Sequence, residues 1–460
     1  MEALRAPLRE LGEFEEIQKK LNRKEPVCLG LSGCVDSQKL HMIFGLGEGF
    51  RYKLIITYSD QRMREIYEDY KFYDRNVCMY PAKDLIFFQA DIHGNQLVTE
   101  RWKVLRRLLE GAPLTIVTTL DSLMEPRIPL EQVKKDIVHI NSAGQVQERE
   151  LAEKLVKLGY EKTYQVEAPG QFSVRGGIVD VFDLTEENPY RIELWGEDVD
   201  SIRSFDVLSQ RSIEKLDSVD IYPATEMILS KDERARGMKL IGAEAKKQEE
   251  TLRGQGKIEE AARLHRQIGE LREEVLELET KVNLESYVRY FYEELGSFLG
   301  GFDKKECCIF LDEPVRIGEH AEAVELEFRE SMSHRLEKGS LLPGQMTLLY
   351  GRAETAAKLS DYPVVTIASL DMKNPFMKPD RKFDFSAKNV SPYNNSFETL
   401  VKDLRHYKKN GYRVLLPHPG EAACGGSWSV RSDRFLYGES GKGDTARRDH
   451  DLLRPGVKRL

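Results

Sequence analysis

The chain has 460 residues, long enough to bury several hydrophobic cores and to divide into roughly three or four domains. Its 69 Lys and Arg against 77 Asp and Glu, a net charge of -8, exclude a nucleic-acid wrapper coated in phosphate-binding charge, although local basic faces remain possible. Six cysteines (Cys28, Cys34, Cys78, Cys307, Cys308 and Cys424) have neither metal-ligand spacing nor the density of a secreted scaffold. They are expected to be reduced and mostly buried in a cytoplasmic protein, with no metal site.

Residues 1–24 place Leu8, Leu11, Phe14, Ile17 and Leu21 at three- and four-residue spacing, which predicts an amphipathic N-terminal helix rather than a signal peptide. No apolar run is long enough to span a membrane. Over 25–128 the runs PVCLGL, KLIITYS, NVCMYP and LTIVTTL read as strands. SDQRMREIYEDYKFY and QLVTERWKVLRRLLEG read as helices, with Met63, Ile66, Tyr67, Tyr70 and Trp102, Leu105, Leu108, Leu109 on their apolar faces. Strands alternating with helices predict a mostly parallel α/β sheet.

The texture changes over 129–216. One helix, ERELAEKLVKLGY, precedes the strands TYQVEA, QFSVRGGIVDVFDL, YRIELWG and VDSIRSFDV. The turns between them are too short for crossover helices, so an antiparallel, inserted α+β domain is expected. Residues 217–370 are mainly helical. Leu264, Ile268, Leu271, Val275, Leu278 and Val282 form a heptad seam, expected to pack within its own domain, with a dimerising coiled coil over 231–285 as the competing reading. CCIFLDEP then predicts a buried strand ending in Asp312 and Glu313. A linker-like stretch at 371–395 is followed by a helix, SFETLVKDLRHYKKNGY, and a strand, RVLL, so that 371–416 begins a further small α/β domain. The tail 417–460, rich in Gly and Pro at first, shows no periodicity. It is expected to be disordered and the product of a reading-frame change near residue 417.

The stretch LSGCVDSQKL follows a strand, as a phosphate-binding loop does. In G-x-x-x-x-G-K-[ST] the glycines turn backbone N–H groups toward phosphate, Lys neutralises the outer oxygens and the hydroxyl holds Mg²⁺. Here Gly33 and Lys39 are in register, but Gln38 replaces the second glycine, Leu40 replaces the hydroxyl, and Asp36 aims a carboxylate at the anion. Asp312 and Glu313 end a strand as the metal-orienting acids of P-loop motors do. Acids without a metal site hydrolyse nothing, so the expectation is a degenerate nucleotide site with no catalytic residue and no bound ATP or Mg²⁺. On that view Lys39→Ala leaves stability almost untouched.

The run GQFSVRGGIVDVFDLTEENPYRIELWGEDVDSIRSFDVLSQRS resembles the second domain of UvrB and of the transcription-repair coupling factor (Mfd) family. The blocks RG, GIVDVF, ENPYRIELWG, DSIRSFD and SQRS occur in the family's order, and the resemblance extends over residues 10–416. UvrB has an intact phosphate loop and a long aromatic hairpin, whereas YPAKDLIFFQADIHGNQLVTER is too short for that hairpin. The amino-terminal UvrB-like module of the Mfd family therefore fits better.

The resemblance implies an α/β, degenerate P-loop helicase-like fold: domain 1A at 25–128, an inserted UvrA-binding domain at 129–216, domain 1B at 217–370 and the start of a third domain. It implies recruitment of UvrA to lesions that stall RNA polymerase. Polymerase-binding and translocase domains lie further along in the family, so this chain is expected to be an amino-terminal portion, touching polymerase only through domains it lacks and DNA weakly. In the family a carboxy-terminal domain masks the UvrA-binding face until polymerase is engaged. Carried over by position, that face comprises Arg175 and Phe172, then Lys162, where relatives commonly have Arg, and Arg191 and Arg203, with Phe182 left to the core. A monomer is expected. The rival reading is an ATP-dependent, UvrB-like damage-verification helicase.

Overall fold

The computed structural model describes residues 2–83, 94–276, 284–373, 375–389, 396–412, 414 and 436–437. The four apolar runs of the first domain form strands β1 (Val27–Ser32), β2 (Tyr52–Thr57), β3 (Val77–Tyr80) and β4 (Leu114–Thr119). The insert supplies β5 (Val138–Asn141), β6 (Glu161–Lys162), β7 (Gln171–Arg175), β8 (Ile178–Val181), β9 (Tyr190–Trp195), β10 (Asp198–Phe205), β11 (Ser212–Leu216) and β12 (Ser218–Ile221). Past the helical region come β13 (Cys307–Asp312), β14 (Pro363–Ile367) and β15 (Arg381–Asp384).

A seven-stranded sheet runs in the order β15-β1-β14-β13-β2-β4-β3, and every pairing in it is parallel. Alternation along each strand sends side chains to two faces. On one face Leu29, Leu31, Ile55, Phe310 and Val365 pack with Phe14, Ile17, Ile43, Met63 and Ile66 of the helices Gly12–Leu21, Asp36–Leu46 and Asp60–Tyr70. On the other, Leu54, Ile56, Ile116, Ile309 and Val364 pack with Trp102 and Leu105 of the helix Gly94–Leu109. Because both faces are covered, the strands read as continuous apolar runs. The C-terminal ends of β1, β2 and β13 meet at one edge, where a doubly covered parallel sheet carries its loops.

The insert forms a second sheet, β11-β10-β9-β8-β7-β6. Its pairings are antiparallel except β6 with β7, which is parallel. TYQVEA is a correction: strand structure ends at Lys162, and 163–170 is loop. β12 returns to pair with β5, carrying this unit past residue 216 to Ile221. The chain enters and leaves the insert beside the fully buried Arg101. Its Nη2 lies 2.9 Å from Glu125 Oε2 and its Nε 2.6 Å from Glu226 Oε1, while its Nη1 donates to the Pro81 carbonyl at 2.7 Å. One guanidinium thus ties the body to both crossing segments.

In the helical region Leu264, Ile268, Leu271 and Val275 are buried against Met238, Ile241, Ala245 and Leu252 of the preceding helix Lys231–Gly254. The heptad seam is satisfied within the chain, against the dimerising reading; Leu278 and Val282 lie outside the described residues. The linker expectation at 371–395 is also corrected, since Arg381–Asp384 adds to β1 as an edge strand. A four-residue strand with one buried apolar side chain, Phe383, carries almost no sequence signal. The helix Phe397–Lys409 forms as expected. Arg413, Leu415 and Leu416 of RVLL, and the tail 417–460 apart from 436–437, with Cys424, fall outside the described residues, and Val414 is in neither helix nor strand. Cys28, Cys34, Cys307 and Cys308 are free and buried, and Cys78 is free and half-buried.

Candidate functional site

The loop after β1 was the first candidate. Gly33 has φ +75°, and a Cβ there would lie 1.9 Å from the carbonyl oxygen of Phe385, so only glycine admits the backbone that crosses above it. Phe385 N–H donates to the Ser32 carbonyl at 2.8 Å, and Cys34 N–H to the Ala368 carbonyl at 3.2 Å. The Cys34 amide, at the start of the loop, is thus spent on the chain's own backbone.

Lys39 is 2% exposed, and its ammonium sits among three carboxylates: Asp36 Oδ1 at 3.0 Å, Asp312 Oδ1 at 3.1 Å and Glu313 Oε1 at 2.6 Å. Burial alone would lower the Lys39 pKa; those acids outweigh it and raise the pKa above the ordinary lysine value. At Glu313 and Asp36 burial is likewise overcome, chiefly by Lys39, and both carboxyls stay below the usual range. Asp312 Oδ2, the oxygen free of Lys39, accepts from Arg62 Nε at 3.1 Å and Thr57 Oγ1 at 3.0 Å. Arg62 Nη2 is 3.0 Å from Asp36. The helix Asp60–Tyr70 thus delivers a guanidinium to the acid that the sequence marks as a candidate metal-orienting residue. Gln38 and Leu40 are buried in the helix Asp36–Leu46, and Gln38 Oε1 has no hydrogen-bond partner among the described residues. Two cations against three carboxylates leave the arrangement net negative, which repels an anion. Chemically, its lysine is not free to meet an incoming phosphate.

The second candidate is the outer face of the insert sheet. Val179, Val181, Ile192 and Ile202 turn into the core, so the alternate positions turn away from it. Cross-strand pairing aligns Ser173, Asp180, Arg191, Arg203 and Lys215 in one row, and Arg175, Ile178, Glu193 and Ser201 in the next. Asp180, 1% exposed, accepts from Arg191 Nε at 2.8 Å, from Arg191 Nη2 at 2.9 Å and from Arg175 Nη2 at 3.2 Å. The Arg175 guanidinium also lies 5.7 Å from the ring centroid of Tyr164, within cation–π range. Arg203 Nη2 donates to Glu193 Oε2 at 2.7 Å.

Of the expected contact residues, Arg175, Arg191 and Arg203 share this face, and Lys162 is exposed on the neighbouring edge strand β6. Phe172 is corrected: it is fully buried with Val179 and Val181, because the pleat that turns Arg175 outward turns Phe172, an odd number of residues away, inward. Phe182 is buried, as expected. Sequence reasoning missed Trp195, 83% exposed, and Tyr164, 85% exposed. Trp195 follows Arg191 and Glu193 at two-residue spacing on β9, so it shares their face; the alternation in YRIELWG carried that signal. It also missed Asp180, the acid joining the two arginines.

Comparison with known proteins bears on this second face. Residues 138–227 match the family model described as the UvrB interaction domain. The chain is 29% identical over 419 residues to a protein named transcription-repair-coupling factor from Bacillus subtilis (strain 168), covering 90% of this chain and 35% of that one. It is 27% identical over 423 residues to the protein of that name from Staphylococcus aureus (strain Mu50 / ATCC 700699), with the same coverage. The chain therefore spans about a third of the length of these curated relatives. It is a homologue of the transcription-repair-coupling factors and carries a UvrB interaction domain within a parallel α/β body.

Proposed function

We propose that this chain is a non-catalytic docking portion of a transcription-repair coupling factor, recruiting UvrA to DNA lesions at which RNA polymerase has stalled. The observation that carries the reading is the outer face of the UvrB interaction domain. There Arg175 and Trp195 are exposed beside Arg191 and Arg203, on strands rather than loops. Arginine and tryptophan on a rigid scaffold are what a protein partner uses as anchors. Weak contact with DNA, and contact with RNA polymerase only through further domains of the family, belong to the same reading and rest on the resemblance, with no residue assigned to either.

The rival helicase reading needs Lys39 to reach phosphate and Asp312 to hold Mg²⁺. Internal ion pairs occupy both, which supports a chain that uses neither ATP nor metal. A cytoplasmic setting is part of the proposal; among the described residues no helix is long and apolar enough to cross a membrane. The test is a pull-down of purified UvrA by the immobilised chain, without ATP, DNA or polymerase. Retention of UvrA is expected; its absence from a well-folded chain overturns the proposal.

A further inference from the structure

We infer that Asp180 is a positioning residue of this docking face, its buried carboxylate holding Arg175 and Arg191 in the orientation in which they meet the partner. The inference rests on the UvrA reading and goes beyond it, by naming the group that acts through the arginines.

Asp180 lies between two buried valines of β8, Val179 and Val181, which belong to the core. Its own side chain points to the other face, toward Arg191 across the β8–β9 pairing. A carboxylate taken out of water is costly unless paired and hydrogen-bonded, and here both oxygens are used. Arg191 spans them, Nε to Oδ1 and Nη2 to Oδ2, and Arg175 adds Nη2 to Oδ2.

The two guanidinium groups differ in what remains to them. Arg191 is 17% exposed, and its charge is matched by Asp180; Arg175 is 39% exposed and shares the same acid. Two cations on one carboxylate leave one positive charge uncompensated at this node, and the exposed member presents it. Arg175 is held at one end by Asp180 and flanked by the Tyr164 ring, while its Nε and Nη1 donate to nothing among the described residues. Those free N–H groups suit a carboxylate or carbonyl oxygen of a partner. An arginine already fixed in the free protein loses less rotamer freedom on binding. Asp180 therefore sets affinity without touching the partner.

The test is a double-mutant cycle in the full chain. UvrA is titrated calorimetrically into wild type, Asp180→Asn, Arg175→Ala and the double variant, at a temperature where thermal melts show each folded. Asp180→Asn is expected to weaken binding about tenfold in the wild-type background, but less than about twofold when Arg175 is already alanine. Unchanged affinity in Asp180→Asn overturns the inference; so does an equal loss in both backgrounds, which is the signature of a residue that merely supports the fold. Arg191→Lys approaches the node from the arginine that spans both oxygens and decides the matter if Asp180→Asn does not fold. It keeps the charge, gives up the two-pronged grip on Asp180, and should lose affinity severalfold. Full affinity in that variant overturns the inference. Failure of wild type to bind UvrA removes the docking reading and this inference with it, whereas binding that ignores Asp180 removes the inference alone.

Discussion

Lys39 and Glu313 stand 274 residues apart in sequence and 2.6 Å apart in space, the ammonium donating to a carboxylate that ends the strand opposite. Glu313 itself adopts φ +57°, a left-handed conformation uncommon outside glycine, and its Oε1 also accepts from Ser369 N–H at 2.8 Å. The pair is the centre of a cage that joins β1, β2 and β13 through the loops and helices that follow them.

The cage reverses the expectation that Lys39 is dispensable. Removing a buried cation from among Asp36, Asp312 and Glu313 leaves those charges uncompensated, so Lys39→Ala should cost about 3 kcal/mol of stability. Equilibrium denaturation of wild type and variant checks this. A loss below about 0.5 kcal/mol, the ordinary range for surface changes, would mean that the cage contributes nothing.

Nucleotide chemistry should be absent for the same reason. The chain is expected to show no Mg²⁺-dependent ATP turnover above a mock preparation, with or without DNA. Turnover abolished by a conservative Lys39→Arg change that leaves the melting curve intact would restore the helicase reading.

Arg101 gives a second, independent stability test. Arg101→Met fills similar volume but leaves Glu125 and Glu226 in the interior with Lys83 as the remaining cation, its Nζ 3.2 Å from Glu226 Oε2. A loss of about 3–5 kcal/mol is expected, with increased proteolysis at the two crossings between body and insert. A variant as stable and as protease-resistant as wild type would show that the crossings are fixed by packing alone.

The pH dependence should carry a small signature of His320. Its Nε2 lies 3.8 Å from Asp121 Oδ2, and that acid raises the imidazole pKa against the opposing effect of burial. A raised folded-state pKa means stability that is fully present below the unfolded histidine value of about 6.5 and lost as pH rises through the folded value. Because the ring is about a third exposed, the contribution should stay below about 1 kcal/mol. Melts of wild type and His320→Asn from acid to mildly alkaline pH should converge above neutrality and separate below it. Parallel curves would remove the pair from the account.

The legible part of this protein was local. Continuous apolar runs mark β1, β2 and β4, the heptad from Leu264 to Val275 marks a helix that packs on its neighbour, and blocks such as GIVDVF mark the insert. The cage was half legible. Asp36 is one helical turn from Lys39, but Arg62 arrives on the helix after β2 and Asp312 at the end of β13, through parallel crossovers that no spacing encodes. On the docking face the resemblance supplied Arg175 and Arg191, and the two-residue pleat, applied strictly, excludes Phe172 and includes Trp195. Asp180 reads as core from its valine neighbours, and only its partners reveal its role.

The most direct test of the central claim is a calorimetric titration of UvrA into the wild-type chain and into Arg175→Ala, without nucleotide, DNA or polymerase, alongside thermal melts of both. A charge-assisted guanidinium contact is worth ~1.5–3 kcal/mol, so Arg175→Ala should bind about ten- to a hundredfold more weakly, and its melting temperature should barely move. Equal affinity in the two proteins would contradict the assignment of Arg175, and no binding by a well-folded wild type would contradict the docking function itself.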